Sequence, residues 1–89
     1  MHRYEIEKSL ADLFMKRYSI DFLRNPEMKE MKLLGSIGLP ARELLHVYFD
    51  VKNNMGISIP EDDVERGRFD TFNHIVAIIS EQVLGNNYG

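Results

Sequence analysis

Residues 38–83 read GLPARELLHVYFDVKNNMGISIPEDDVERGRFDTFNHIVAIISEQV, and this stretch decides the fold. Its first part predicts a helix over 40–54, because apolar residues recur there at helical spacing and cluster within about one third of the helix circumference. The predicted core stripe of that helix consists of Leu44, Val47, Tyr48, Val51 and Met55. Gly56 ends the helix, and 57–59 is extended, because the residue before a proline disfavours helical geometry.

The second part of the same stretch predicts one short and one long helix. The acidic run at 61–66 allows a single helical turn, and its carboxylates are expected to be solvated and favoured by the helix dipole. A long helix over 71–84 follows, with Asp70 or Thr71 as its cap. Its apolar stripe consists of Phe72, Ile75, Ile78, Ile79 and Val83. The sequence from Gly85 onward stops the helix, and the tail is expected to fray.

Upstream of this stretch, the sequence predicts one more long helix over 4–18. Its apolar face is formed by residues at i, i+4, i+7 and i+8, namely Ile6, Leu10, Leu13 and Phe14. Strand-like alternation is confined to 57–59. The predicted fold class is therefore all-α, a helical bundle with three main helices and one or two short ones, in a single domain over 1–89.

The connection at 19–40 is predicted to contain a short helix over 26–34. Asn25 is expected to cap this helix, and Gly35 suits the position just past its end. Residues 36–39 are expected to form a loop that leads into the next helix.

Composition excludes several classes of function. The chain has 89 residues and no cysteine, and it carries 14 acidic against 11 basic residues for a net charge of −3. The lack of cysteine excludes disulfides, thiolate metal sites and cysteine nucleophiles. Duplex binding needs basic residues that displace counterions, so the negative balance argues against nucleic acid.

Residues 1–19 resemble no signal peptide, and no apolar run reaches the length of a membrane span. We therefore expect a cytoplasmic protein with no membrane association.

The order of features after Gly38 resembles that of acyl carrier proteins. In that family a Gly-x-Asp-Ser-Leu motif opens the second helix, and an Ile-Pro pair, a short acidic helix and an aromatic entry to the last helix follow it. Ile59 and Pro60 match the Ile-Pro pair, and the acidic residues at 61–63 match the short helix. The resemblance covers 33–84 and implies an acyl carrier protein-like helical bundle.

The carrier motif itself is altered at three successive positions. The resemblance places Ala41 where the family has the serine that carries phosphopantetheine, and Pro40 and Arg42 where the family has Asp and Leu. Alanine has no hydroxyl to which the phosphodiester of the arm can be joined. The resemblance therefore implies a carrier fold without the phosphopantetheine cofactor. Ala-Arg after the glycine, together with the run GRFDTF, is similar to carrier-related proteins of bacterial peptide-maturation systems.

Two other functions remain open from the sequence. A genuine acyl or peptidyl carrier could be modified at another serine, with Ser36 and Ser58 as the candidates, or could natively have serine at position 41. The changes at Pro40 and Arg42 argue against a single engineered replacement, which would alter one residue. A small DNA-binding regulator is the third class, and the net negative charge counts against it.

No catalytic, cofactor-binding or metal-binding residue is predicted. The three histidines, His2, His46 and His74, lack the spacing of a metal pair, and His46 is expected at the surface. The acidic residues at 61–63 lack the alternation of a calcium loop. Without a nucleophile triad or a glycine-rich phosphate loop, the chain is predicted not to be an enzyme.

The remaining candidate site is a protein-binding surface on the helix predicted over 40–54. On a helical wheel, Phe49 lies about 140° from Leu44, so a large aromatic faces away from the buried stripe. Aromatic and arginine side chains are favoured anchors of interfaces. The predicted partner-binding residues are Arg42, His46, Phe49, Lys52 and Asn53. The alternative is that Phe49 packs beneath the connection at 19–40.

The predicted function follows from this surface and from the resemblance. It is that of a non-enzymatic acyl carrier-related protein that acts as a protein–protein interaction module. Its expected partner is an enzyme of a peptide-maturation or natural-product pathway.

Overall fold

The computed structural model describes residues 2–85. Its α-helices are α1 (Arg3–Tyr18), α2 (Ala41–Met55), α3 (Glu61–Glu65) and α4 (Phe72–Gly85). A 3-10 helix at Pro26–Glu30 and a π turn at Leu33–Ile37 lie between α1 and α2. Within 2–85 there is no strand, which confirms the all-α prediction, and none of the helices has the length and apolar character needed to cross a bilayer. The tail from 86 onward, for which fraying was expected, lies outside the described residues.

The three long helices share one hydrophobic core. α1 packs against both α2 and α4, and the apolar stripes predicted for α1 and α4 are buried, apart from a partly exposed Val83. The rings of Phe14, Phe22 and Phe72 meet in this core, with Phe22 stacked on Phe72 at 4.5 Å between ring centroids. Ser80 of α4 is also buried, and its hydroxyl oxygen has no hydrogen-bond partner among the residues described.

The core stripe of α2 is narrower than predicted. Val47 and Val51 are fully buried, whereas Leu44, Tyr48 and Met55 are only partly buried. α2 packs against α1, and part of its predicted stripe lines an open cavity. This arrangement leaves apolar surface of α2 accessible.

Proline, glycine and threonine fix the ends of the long helices. Pro40 has extended geometry and occupies the N-cap position immediately before α2, without a side-chain cap. Gly56 follows α2 with a φ of 68°, in the left-handed region that favours glycine. At the start of α4, the Thr71 hydroxyl accepts a hydrogen bond from the backbone N–H of His74 at 3.0 Å. The boundaries predicted from sequence are therefore correct to within about two residues.

The prediction of one continuous helix over 26–34 is wrong. A short 3-10 helix is followed by extended backbone at Met31 and Lys32 before the π turn begins. The backbone N–H of Leu33 donates to the carbonyl of Asp70 at 2.8 Å. Because this bond ties the connection to the residues before α4, it draws the chain out of helical geometry.

Three smaller expectations for this connection are also wrong. Asn25 makes no side-chain cap, and its side-chain nitrogen donates to the carbonyl of Asp21 at 3.0 Å. Gly35 lies inside the π turn, and the loop expected at 36–39 starts only at Gly38, where a φ of 92° ends the turn. A π turn is wider than an α turn and takes in an extra residue, which accounts for the shift.

Two polar contacts fix α1 to α2. The Arg17 guanidinium makes a two-point ion pair with Asp50 at 2.6 and 3.0 Å, and this hydrogen-bonded carboxylate raises the pKa of Arg17. The Tyr18 hydroxyl donates to the carbonyl of Glu43 at 3.1 Å. Burial, followed by this hydrogen bond, raises the pKa of Tyr18 to about 12. These contacts set the orientation of α2 relative to the rest of the core.

α3 depends on its neighbours, because a helix of five residues has no stability of its own. Asp63 is buried and pairs with Arg68 at 2.6 Å, and Arg68 reaches Glu81 of α4 at 3.2 Å. The expectation of a fully solvated acidic turn is therefore wrong at Asp63, whose carboxylate takes part in anchoring α3. Glu61 and Asp62 are exposed, as expected.

A charged cluster fixes the π turn to the start of α4. The Asp70 carboxylate is contacted by the ammonium group of Lys32 and lies 2.5 Å from Nδ1 of His74. Partial burial opposes ionisation of Asp70, but the hydrogen bonds from Lys32 and His74 outweigh it and lower the pKa of Asp70. The cluster positions the residues at one end of the candidate site.

Candidate functional site

An apolar groove runs between α2 and α3 and is closed at one end by the π turn. It consists of two open cavities of about 270 and 300 Å³, which share Leu45, Tyr48 and Val64 in their walls. We call it the α2–α3 groove and define it by Leu34, Ala41, Leu45, Tyr48, Phe49 and Val64. The first residue of α2, Ala41, therefore lines the same groove as the exposed apolar side chains.

Exposed apolar side chains are concentrated in this groove. Seven large apolar residues within 2–83 are exposed, and four of them line the groove. These four are Leu34, Leu45, Phe49 and Val64, with exposed fractions of 50%, 56%, 51% and 38%. Single exposed apolar residues are normal on a protein surface, whereas these four are grouped, which makes the groove the candidate site.

The floor of the groove is a fixed aromatic ring. The Tyr48 hydroxyl donates to the carbonyl of Ile59 at 3.2 Å, which ties α2 to the extended segment before α3. The Phe49 ring stands edge-on to Tyr48, with ring centroids 5.5 Å apart and planes at 85°. Phe69 lies on another side of Tyr48, at 6.3 Å. The rotamer of Phe49 is therefore supported by a neighbour that is itself hydrogen-bonded.

Both walls and the closed end of the groove are anchored by the charged contacts described above. The Arg17–Asp50 ion pair fixes α2, and the Asp63–Arg68 pair fixes α3. The cluster around Asp70 fixes the π turn that presents Leu34. The groove is thus a preformed surface whose shape is set by packing and by ion pairs, one of which, between Lys32 and Asp70, lies in the wall of its first cavity.

The structure places all five predicted partner-binding residues at the surface. Only Phe49 lines the groove, and its exposure rules out the alternative that it packs beneath the connection at 19–40. Arg42, Asn53 and His46 follow next around α2, at about 20°, 40° and 60° from Phe49 on the helical wheel. Lys52 lies about 60° from Phe49 in the opposite direction, close to the line of Leu45. These residues form one continuous face.

The two long edges of the groove carry opposite charges. On α3, Glu61 and Glu65 line the second cavity, are exposed, and make no ion pair with any other described residue. On α2, Arg42 and His46 lie beyond Phe49 and are exposed. Arg42 contacts only the adjacent Glu43, at 3.8 Å, and such an exposed pair is weak. The groove therefore has an acidic edge on α3 and a basic edge on α2.

The hydroxyl groups near the expected carrier position decide what can be attached there. Ala41 presents a methyl group, so this position offers no nucleophile for covalent attachment. The two serines considered as alternative attachment sites, Ser36 and Ser58, are both exposed and lie outside the groove lining. No group of three or more His, Cys, Asp or Glu side chains within the described part of the chain is placed to bind a metal ion.

Sequence reasoning missed three residues of the groove. Leu45 falls outside the predicted core stripe of α2. A leucine on the exposed side of a helix is the one sequence signal that could have pointed to the groove. Val64 is the single apolar residue of the run EDDVER. Leu34 was assigned to a helix that does not form. Their grouping depends on how α3 and the π turn pack beside α2, which periodicity does not encode.

Comparisons of this chain with protein-family models, with curated proteins and with solved structures found no match.

Proposed function

We propose that this chain is an acyl carrier-related helical bundle that bears no phosphopantetheine arm and docks a protein partner, an enzyme of a peptide-maturation or natural-product pathway. The observation that carries the proposal is the α2–α3 groove. It groups four exposed apolar side chains beside Ala41, the position at which the family resemblance places the carrier serine.

The order and lengths of the helices support the carrier-related part of the proposal. A long α1 is followed by a long connection, a second long helix, a helix of five residues and a third long helix. Ala41 is the first residue of α2 and is exposed, as an attachment residue would have to be. Its side chain cannot form the phosphodiester.

The shape and composition of the groove support the docking part. Interfaces combine a desolvated apolar centre with a polar rim, and aromatic and arginine residues supply much of the binding energy. The groove has Leu45, Phe49 and Val64 at its centre, with Arg42 and Glu65 on its edges. Of the carboxylates that line it, Asp70 is paired with Lys32 and His74, and Glu61 and Glu65 are exposed on one edge.

The intact mass of this chain tests whether it can receive a phosphopantetheine arm. The chain is incubated with coenzyme A and a broad-specificity phosphopantetheinyl transferase, beside a control carrier protein that the same enzyme modifies. We expect the mass of this chain to stay unchanged, because Ala41 lacks a hydroxyl. A gain equal to one phosphopantetheine arm would overturn the proposal and would direct attention to Ser36 and Ser58.

Binding to purified enzymes encoded beside the gene for this chain tests the docking role. Their affinity is measured for the unaltered chain, for Phe49→Ala, and for Leu23→Ala. Leu23 is a matched control, because it is 44% exposed and lies outside the groove. We expect Phe49→Ala to weaken binding at least roughly tenfold and Leu23→Ala to leave it unchanged. Equal effects of the two substitutions would contradict docking through the groove.

A further inference from the structure

We infer that the α2–α3 groove receives an amphipathic helix of the partner, seated with an acidic flank along α2 and a basic flank along α3. This inference rests on the proposed docking function and adds the conformation and charge pattern of the bound segment. The juxtaposition that carries it is an apolar channel with Arg42 and His46 on one edge and Glu61 and Glu65 on the other.

The length of the groove along α2 suits the apolar stripe of a helix of about three turns. The α2 residues that line the groove run from Ala41 to Phe49, which span about 12 Å at 1.5 Å per residue. A partner helix with apolar residues at i, i+4 and i+7 presents a stripe of about 10 Å, which fits within that length. Leu45, Phe49 and Val64 provide apolar contacts for such a stripe.

The walls of the groove favour a helix over an extended segment. The described walls, α2, α3 and the π turn, are all helical, so they offer no unpaired strand edge. An extended peptide would bury its N–H and C=O groups against apolar side chains without partners, which is unfavourable. A helix carries its backbone hydrogen bonds within itself and can bury one apolar face.

Charge complementarity specifies the flanks of the bound helix. Glu61 and Glu65 are exposed and lack an ion-pair partner in the described part of the chain, so basic side chains of a guest can reach them. Arg42, on the side of α2 beyond Phe49, offers a cation to acidic side chains on the opposite flank. Charged rims contribute chiefly specificity and orientation. A guest with charges of one sign on both flanks would meet like charges along one edge.

Three designed helical peptides test the inference. They share the same leucine stripe and length, and they carry Glu on one flank and Lys on the other, Glu on both, or Lys on both. Dissociation constants are measured by fluorescence anisotropy at low ionic strength. We expect the peptide of mixed charge to bind roughly tenfold more tightly than either of the others, with the preference reduced by added salt.

A second experiment reverses the charges on one edge of the groove. In the double variant Glu61→Lys, Glu65→Lys, both edges are basic, so the peptide with Glu on both flanks should become the tightest binder. The matched control is Glu27→Lys, Glu30→Lys, which makes the same change in net charge at two exposed residues of the 3-10 helix that do not line the groove. The control should keep the preference of the unaltered chain.

Several results would overturn the inference. These are equal binding of the three peptides, no binding at millimolar concentration, or a change of preference in the control variant. A dimer seen by sedimentation and abolished by Phe49→Ala would identify a second copy of this chain as the occupant instead. If the peptides do not bind while the affinity of a purified enzyme is still reduced by Phe49→Ala, the inference of a bound helix is wrong and the proposed function stands. If the peptides bind as expected while no enzyme binds, the proposed function falls instead.

Discussion

At the scale of single residues, two phenylalanines of this chain differ in burial, and they are therefore expected to differ in their contribution to stability. Phe49 is 51% exposed and touches Tyr48, whereas Phe72 is fully buried among other rings of the core. We therefore expect Phe49→Ala to change the free energy of unfolding by less than about 1 kcal/mol, and Phe72→Ala to cost about 3–5 kcal/mol. Urea unfolding of the two variants checks this, and a large loss with Phe49→Ala would assign Phe49 to the core.

Ser80 is a second residue whose burial has a measurable consequence. Its hydroxyl is buried in α4 and lacks a hydrogen-bond partner among the residues described, so it has lost its water without compensation. Ser80→Ala removes the polar group and adds helix propensity, and we expect a gain of about 1 kcal/mol in the free energy of unfolding. Ser58→Ala, at an exposed serine outside the helices, is the control and should have little effect. A loss of stability in Ser80→Ala would indicate that the hydroxyl is bonded in solution.

At the scale of elements, the short pieces of the chain are held by contacts with the long helices. α3 is anchored through the Asp63–Arg68 pair, and the π turn is anchored through Asp70. Neither piece would be stable in isolation, because local hydrogen bonds in so few residues do not offset the cost of ordering them. The walls of the groove are consequently set by the tertiary structure.

The anchor at Asp70 makes stability depend on pH. Because the pKa of Asp70 is lowered in the folded chain, its contribution is complete above the unfolded value of about 3.9 and is lost as the pH falls through the lower folded value. Asp70→Asn should therefore destabilise the chain at pH 7, by about 1–2 kcal/mol, and the difference should disappear in acid. Urea unfolding from pH 7 to pH 2 measures this. A difference between the two proteins that persists unchanged to pH 2 would contradict the role given to the carboxylate.

The elements also show which parts of the fold follow from sequence. Helical periodicity and the signals at Pro40, Gly56 and Thr71 were sufficient for the three long helices, because these signals act within a few residues. The connection at 26–34 was predicted wrongly, because the bond from Leu33 to the carbonyl of Asp70 joins segments far apart in sequence.

The candidate site was predictable only in part. The exposed face of α2 could be read from the helical wheel, and the structure places Arg42, His46 and Phe49 at the surface. The groove could not be read in this way, since it needs Val64 of α3 and Leu34 of the π turn to lie beside Leu45. Contacts between elements of this kind are set by packing in three dimensions.

At the scale of the whole molecule, one core joins all the long helices. The radius of gyration of 12.3 Å is close to the value of about 12 Å expected for a compact domain of this length. We therefore expect unfolding by urea in a single cooperative transition, with the helical circular dichroism and the tyrosine fluorescence changing together. An earlier transition seen by one probe would indicate that part of the described chain unfolds independently.

The position of Tyr48 gives the groove a built-in optical signal. The chain contains no tryptophan, so its near-ultraviolet emission arises from tyrosine. Tyr48 lies on the groove floor with its hydroxyl bound to the carbonyl of Ile59. A guest that covers this ring changes its contact with water and hence its emission. Binding in the groove can thus be followed by the tyrosine emission of the unlabelled protein. The Tyr48→Phe variant is the control, because it lacks the emission of this residue.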